Sequence, residues 1–441
     1  MNILIILLAK LVSFIGKPLG RATSLPGVIA YKLNKKIFRY FKIDVPVIVV
    51  TGSSGKGSSS SLIAYVLRKL GYKVAYNDSG SNLSYAVLTT IINNSNIFGK
   101  TKADYFVFEM DERYTRFVFA DMHIDYLLIT NITRDQPPRQ YNTEVIYNII
   151  NKAIKPESTL ILNADDPYVY RFGMDRKAVW FSLKDKDEYS KLPQFKHRNI
   201  DYCPVCNSEL TYNGYIFENH GDYSCPNCDF KRPDAQFNIN KVDYDKLSLY
   251  IDGKDVSFVY PTLFDVYNTA GVYALLRTVG IDDERIREAF KTRIPDKKIY
   301  EHYKYHGRDV KVINNKNENS TTFNQAIRFV ARNHDNKDIL IGWKEISRRY
   351  LFNDVSWLYD LDFELLADSS VNKILCVGIQ RYDIALALKY AGLEDRILIY
   401  EDLGEAVEYL KNESDKSVYA VVNFDYVEPF KELMRETINE D

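Results

Sequence analysis

The chain has 441 residues, 46% hydrophobic and 27% charged, with a formal net charge of −1. That length accommodates two or three domains with sizeable cores, and the charge balance excludes a dedicated nucleic-acid binder. No stretch approaches the roughly 18 apolar residues of a membrane span, and the run from Ile3 to Ala9 lacks the flanks of a signal peptide.

Residues 1–43 hold eight basic residues and no acidic one, interleaved with Ile, Leu and Phe. Two roles suit this basic amphipathic segment: a helical cap packed on the next domain, or a helix resting on an anionic membrane surface.

From 44 to about 170, predicted strands and helices alternate, which implies a mostly parallel sheet. The β-branched run Val47–Thr51 enters a Gly- and Ser-rich turn, and a helical pattern follows as far as Gly71. Strand, tight loop and helix aim backbone N–H groups and a helix N-terminus at a phosphate. Gly52, Gly55 and Gly57 permit close approach, Lys56 supplies a point charge, and Ser58 is suited to a magnesium ion. As an exposed loop residue, Lys56 is expected to contribute little packing. Apolar runs at 105–108, 126–130 and 159–162 end at Glu109, Asn131 and the Asn163–Pro167 turn. Polar residues after parallel strands sit at the carboxyl edge of the sheet, where ligands bind, so Glu109, Asn131 and Asp165 are expected to converge on the loop.

Cys203-Pro-Val-Cys206 and Cys225-Pro-Asn-Cys228 stand eighteen residues apart. This is the spacing of a four-cysteine zinc site, and four thiolates leave no open position, so a structural Zn²⁺ in a small ribbon (about 199–232) is expected. Neighbouring Tyr and Phe can supply the ribbon's core. Five cysteines, four of them in a metal pattern, fit a reducing cytoplasm. A helix through Val279, stopped by Gly280, closes this unit. From about 297 a linker leads into a second α/β unit with strands at 310–313, 339–342, 373–378, 397–400 and 418–422. Cys376 lies within an apolar strand and is expected to be a buried hydrophobe.

The loop departs from the common P-loop: Val50 occupies the first glycine position, and Gly57 follows the lysine where Ser or Thr is usual. It resembles the loop of the Mur ligase superfamily, and its Gly57-Ser58 ending resembles the folylpolyglutamate synthase branch. The chain as a whole resembles the MurT family, the ligase-like subunits of lipid II isoglutaminyl synthases. The marks are Gly20-Arg21 with Ser24–Gly27, the loop, Ser79–Asn82, Glu109–Glu112, Thr130-Asn131 with Arg134–Gln136, Leu162–Pro167, the ribbon, Tyr267-Asn268, Lys316-Asn317 with Phe323–Gln325, and Asp354–Trp357.

The resemblance implies an α/β fold: domain 44–296 of Mur ligase type, with the ribbon inserted, and a Rossmann-like α/β domain at 297–441. It implies ATP-dependent amidation of the D-glutamate α-carboxylate of lipid II through an acyl phosphate, in a cytoplasmic enzyme at the inner membrane face. Ammonia would come from a GatD-like glutaminase partner, and no nucleic acid is involved. ATP would be held by Gly52, Gly55, Lys56, Gly57, Ser58 and Asn268, and Mg²⁺ by Ser58 and Glu109. Asp354 would complete the partner's Cys-His pair across the interface, with Asp360 or Asp362 as substitutes. Departures from the superfamily pattern are Gln136 in place of a magnesium-binding His, no Gly-Arg at the start of the second domain, where Lys297 or Lys298 would have to stand in, and Lys316-Asn317-Glu318 in place of Lys-Asn-Pro. Two alternatives stay open: a folylpolyglutamate synthase-like amino-acid ligase, and a non-enzymatic ATP-binding scaffold.

Overall fold

The computed structural model describes residues 1–18, 22–77, 82–133, 142–193, 195–196, 200–296, 299–314, 320–344 and 355–435. Helix α1 (Asn2–Gly16) is apolar except for Asn2, Lys10 and Ser13 and buries the stripe through Ile5, Ile6, Ala9, Ser13 and Gly16. It packs on α2 (Leu25–Leu33), where Pro26 occupies the first turn and needs no hydrogen-bond partner for its nitrogen.

Strand β1 (Val47–Thr51) is wholly buried and leads into α3 (Lys56–Lys69). Then come β2 (Val74–Tyr76), α4 (Ser84–Asn93), β3 (Tyr105–Glu109), α5 (Thr115–Phe119), β4 (Tyr126–Ile129), α6 (Thr143–Ala153), β5 (Thr159–Asn163), α7 (Pro167–Tyr170) and β6 (Ala178–Leu183). The ribbon hairpin β7 (Thr211–Phe217) and β8 (His220–Ser224) interrupts this alternation. The sheet resumes as β9 (Phe237–Asp243), β10 (Ser248–Ile251) and β11 (Lys254–Ser257), before α8 (Leu263–Val279) and α9 (Asp283–Lys291).

Nine of these strands form one sheet, ordered β11-β10-β9-β6-β5-β4-β1-β3-β2. It is parallel from β2 to β9 and antiparallel at the β9–β10–β11 edge. The period of two sorts the strand side chains. Val47, Val49, Phe106 and Phe108 face α1, α4 and α6, while Ile48, Val50 and Val107 face α3 and α8. Burying each large aliphatic side chain stabilises the fold by roughly 1.5–3 kcal/mol. On the first face, Lys10 Nζ donates to the Ile92 and Ser95 carbonyls at 2.6 and 2.7 Å, satisfying free C=O groups at the end of α4.

The second sheet begins earlier than the apolar pattern indicates. Strand β12 (Tyr300–Tyr305) is polar in sequence and pairs antiparallel with β13 (Arg308–Asn314) across a His306-Gly307 turn in which both φ angles are positive. Then follow α10 (Ser320–Arg332), β14 (Lys337–Trp343), β15 (Val371–Gly378), α11 (Arg381–Tyr390), β16 (Ile397–Tyr400), α12 (Leu403–Asn412), β17 (Ser417–Val422) and α13 (Phe424–Arg435). The order is β12-β13-β17-β14-β15-β16, with helices α10 and α11 on one face and α12 and α13 on the other. Cys376 is fully buried in β15, and burial pushes its thiol pKa up, as suits a core hydrophobe.

Candidate nucleotide site and four-cysteine ribbon

The loop between β1 and α3 is shaped by its two positive-φ glycines. At Gly52 (φ 130°) an added Cβ would meet Thr130 Oγ1 at 2.3 Å, and at Gly55 (φ 80°) it would meet Asn268 Oδ1 at 2.3 Å. Neither position tolerates a side chain. The neighbouring strand end braces the loop. Asn131 Oδ1 accepts from the Ser54 N–H at 3.0 Å, Asn131 Nδ2 donates to the Ser54 carbonyl at 3.1 Å, and Thr130 Oγ1 donates to that carbonyl at 2.6 Å.

Gly55 is the N-cap of α3 and no side chain caps the helix, so its first-turn N–H groups and the positive end of its dipole are suited to an anion. Gly57 and Ser58 lie in that first turn. The Glu109 carboxylate, at the end of β3, lies 3.4 Å from where a Cβ on Gly57 would be. The Glu109 backbone is clamped by Asn77, which both donates to its carbonyl and accepts from its N–H, at 2.8 and 2.9 Å.

Lys56 differs from its sequence-based expectation. Its side chain is only 13% exposed. It folds back onto the Gly52 and Ser53 carbonyls and pairs with Glu112 Oε1 at 2.8 Å. Burial raises the Glu112 carboxyl pKa and outweighs the lowering effect of Lys56. Asp165 also departs from expectation. Glu109 and Asn131 meet the loop, but Asp165 turns into the domain core, accepting from Ser182 Oγ, the Leu183 N–H and Tyr267 Oη at 2.7, 2.6 and 3.0 Å. The chain bends between β5 and α7 at this point, which carries Asp165 past the sheet edge.

A cleft beside the loop is lined by Ser59, Asn131, Asn163, His220, Tyr267 and Asn268. Within it the Ser59 hydroxyl is buried without a hydrogen-bond partner among the described residues, as is that of Ser54 in the loop itself. Glycines that leave space, an uncapped helix start, a lysine, a carboxylate and unsatisfied hydroxyls fit a magnesium nucleotide. Motif reading missed Glu112 as the partner of Lys56 and missed His220 altogether. His220 comes from the ribbon, and no local pattern marks it.

In the ribbon, all four cysteine Sγ atoms lie within 4.8 Å of one another, with Cys203–Cys228 and Cys206–Cys225 at 3.5 and 3.4 Å. Tetrahedral zinc, with Zn–S near 2.3 Å, needs sulfurs about 3.8 Å apart. Each pair forms a tight knuckle. The Val205 and Asn227 N–H groups point at Cys203 and Cys225 Sγ, both at 3.4 Å, and stabilise thiolate charge. Leu210, Tyr223 and Phe230, backed by Tyr170, form the expected aromatic core.

Two family models match successive parts of the chain: the Mur ligase middle domain over residues 50–213, and the MurT ligase C-terminal domain over residues 317–426. The MurT subunit of lipid II isoglutaminyl synthase (glutamine-hydrolyzing) from Staphylococcus aureus is 28% identical over 438 residues, 97% of this chain and 96% of its own. Its counterpart from Streptococcus pneumoniae is 26% identical over 434 residues, 96% and 94%. The chain is similar to MurT subunits over nearly its whole length.

The fold agrees with solved Mur ligases. A pseudomurein peptide ligase type C from Methanothermus fervidus matches with a TM-score of 0.70 at 19% identity, covering 92% of this chain and 81% of that one. MurF from Thermotoga maritima, solved in complex with ADP, matches with a TM-score of 0.55 at 15% identity, covering 92% and 85%. The match over 317–426 is to the MurT C-terminal domain itself, which the folylpolyglutamate synthase-like loop ending left open. Similarity to MurT subunits along nearly the whole chain supports an ATP-dependent ligase rather than a scaffold. Of the residues singled out by motif, Asp354, Gln136, Lys297, Lys298 and Lys316-Asn317 lie outside the described residues. Asp360 and Asp362 are described. Asp362 is buried, accepting from the Lys196 N–H at 2.7 Å, and Asp360 closes a short 3₁₀ turn (Ser356–Asp360).

Proposed function

We propose that this chain is the ATP-consuming subunit of a lipid II amidotransferase, working with a GatD-like glutaminase at the inner face of the membrane. The observation that carries this reading is the match to MurT subunits along nearly the whole chain, including the C-terminal domain.

A carboxylate is a poor electrophile, so the D-glutamate α-carboxylate first takes the γ-phosphoryl group of ATP. Ammonia then attacks the resulting acyl phosphate, inorganic phosphate leaves, and D-isoglutamine remains. The protein's contribution to such chemistry is positioning and charge neutralisation. Gly52, Gly55 and Gly57 let the loop backbone close on the phosphates, and the α3 N-terminus offers N–H groups to them. Lys56 leaves Glu112 and the loop carbonyls to meet the terminal phosphates. Asn268, in contact with the loop at Gly55, lies beside the nucleotide. Ser58 and Glu109 would hold Mg²⁺, which screens the phosphate charges when bound. The four cysteines would hold a structural Zn²⁺, which shapes the ribbon and takes no part in the reaction. Asp354 would orient the histidine of the partner's Cys-His pair.

The test is reconstitution of the chain with its glutaminase partner, lipid II, Mg-ATP and glutamine. Amidated lipid II and ADP should appear together, and ammonia should replace glutamine. ATP turnover with no amidated product from either nitrogen source would remove this reading.

A further inference from the structure

Helix α1 carries a second apolar stripe that none of the described residues covers. Leu4, Leu7, Leu8, Leu11, Phe14 and Ile15 are all exposed, from 43% for Leu8 to 78% for Phe14. They recur at three- and four-residue steps along one side of the helix, opposite the buried stripe. No polar residue interrupts them. A row of this kind on a folded protein marks an interaction surface.

The charge around the stripe limits what can cover it. Asn34 Nδ2 donates to Asn2 Oδ1 at 3.0 Å, which fixes the end of α2 beside the start of α1. Exposed Lys32, Lys35 and Lys36 therefore stand at one end of the stripe, and exposed Lys17 at the other. Residues 1–43 offer no carboxylate to balance them. A second copy docking stripe to stripe would bring two sets of uncompensated lysines together. An acidic, apolar-cored surface would neutralise the lysines and bury the leucines in one event. At 15 residues the helix is about 22 Å long, short of the ~30 Å hydrocarbon core, so it can lie in the interface but cannot span it.

We propose that α1 and the end of α2 dock the enzyme on the surface of an anionic lipid bilayer, with the leucine row immersed and the lysines among the headgroups. This deepens the function proposed above and rests on it for the acceptor. Docking would hold the catalytic domain against the surface in which a lipid-linked acceptor moves.

The experiment uses the full chain with its partner and needs no acceptor in its first arm. Flotation is measured with vesicles of phosphatidylcholine alone and with added phosphatidylglycerol. Binding should be at least ~10-fold tighter to the anionic vesicles and should weaken with salt. The exposed pair Leu7→Glu and Leu11→Glu, and separately Lys32→Glu with Lys35→Glu and Lys36→Glu, should each lower it by about 10-fold or more. Phe14→Trp supplies a second readout, with blue-shifted emission on anionic vesicles only. In the other arm, amidation of a lipid-free muropeptide should be the same in wild type and variants, while amidation of vesicle-embedded lipid II falls in the variants. Vesicle binding unaffected by the Leu7/Leu11 change, no emission shift at position 14, or a stripe that proves to hold a second copy or the glutaminase by light scattering would each overturn the proposal. Failure of both acceptors with vesicle binding intact would overturn the acceptor reading and leave the docking face standing.

Discussion

Lys56 Nζ and Glu112 Oε1 sit 2.8 Å apart with both side chains nearly closed to solvent, so the lysine of the glycine-rich loop is held by a buried carboxylate. Lys56→Ala should abolish ATP turnover. Unlike removal of a surface lysine, it should also cost stability, because Glu112 is left buried and unpaired. The cost should be about 1–3 kcal/mol, less than for a rigidly ionised group, since the raised carboxyl pKa lets Glu112 take a proton. Adding Glu112→Gln should restore the melting temperature without restoring turnover. Thermal unfolding and ADP release measured on the three proteins check both statements. Turnover in a folded Lys56→Ala protein would remove the loop from the phosphate site.

Glu218 occupies the tip of the ribbon hairpin at a positive φ of 48°. It is 2% exposed, and burial pushes its carboxyl pKa up to about 8. One oxygen accepts from Thr321 Oγ1 at 3.1 Å and the other has no hydrogen-bond partner among the described residues. Asp362 nearby is raised to about 6, again chiefly by burial. With folded pKa values above unfolded ones, the folded state binds more protons across the interval. Stability from these groups is full below about pH 4 and is lost as pH rises through about 6 and then 8. Glu218→Gln should flatten this slope and raise stability at pH 8 by a few kcal/mol at most, roughly. Denaturant titrations at pH 5, 6.5 and 8 measure it; a slope unchanged by the substitution would refute the assignment.

Metal analysis of protein purified without chelator should give about one zinc per chain. Cys203→Ser should lower zinc content and loosen the ribbon, because metal binding and local folding are one event. Protease sensitivity confined to the ribbon, mapped by mass spectrometry, is the readout. Metal-free wild-type protein with an ordered ribbon would contradict it.

Asp354→Asn should separate the two half-reactions. With the glutaminase bound, glutamine hydrolysis should fall by at least about 100-fold, as when an orienting carboxylate is lost, while free ammonia still supports amidation. Asparagine is as good a helix N-cap as aspartate, so a capping role predicts no change. Wild-type glutamine hydrolysis in the intact variant complex would assign Asp354 to capping.

The parts of this molecule legible in the sequence were those with local causes. Val47–Thr51 followed by Gly52–Gly57 is strand, loop and helix by periodicity and backbone sterics alone. The two Cys-Pro-x-Cys knuckles announce their geometry through spacing. What was not legible depends on residues brought together from far apart. Glu112 follows a strand with nothing to say that it faces Lys56, fifty-six positions earlier. His220 sits in a polar hairpin, yet folding places it beside Tyr267 and Asn268. The β9–β11 edge and β12 escaped because these strands are rich in polar residues and lack the continuous apolar run that marks a strand buried on both faces.

The ribbon hairpin carries a mechanical consequence. Its strands leave the cysteine knuckles and run to the start of the second domain. There Arg328 donates to the Ile216 carbonyl, and Arg328 and Arg332 both grip Glu188, at 2.7 and 2.9 Å. Two arginines of one helix therefore make three contacts with the first domain, Arg328 almost out of solvent and Arg332 at the rim. A rotation of the C-terminal domain about the linker near Asp296 cannot proceed by degrees, because half-broken buried ion pairs are costlier than either intact or hydrated ones. The hairpin and the turn that carries Glu188 (Lys186–Glu188) should together act as a detent, holding one angle until enough free energy arrives to release these contacts together. Opening and closing in this protein should then resemble a latch with two positions rather than a spring.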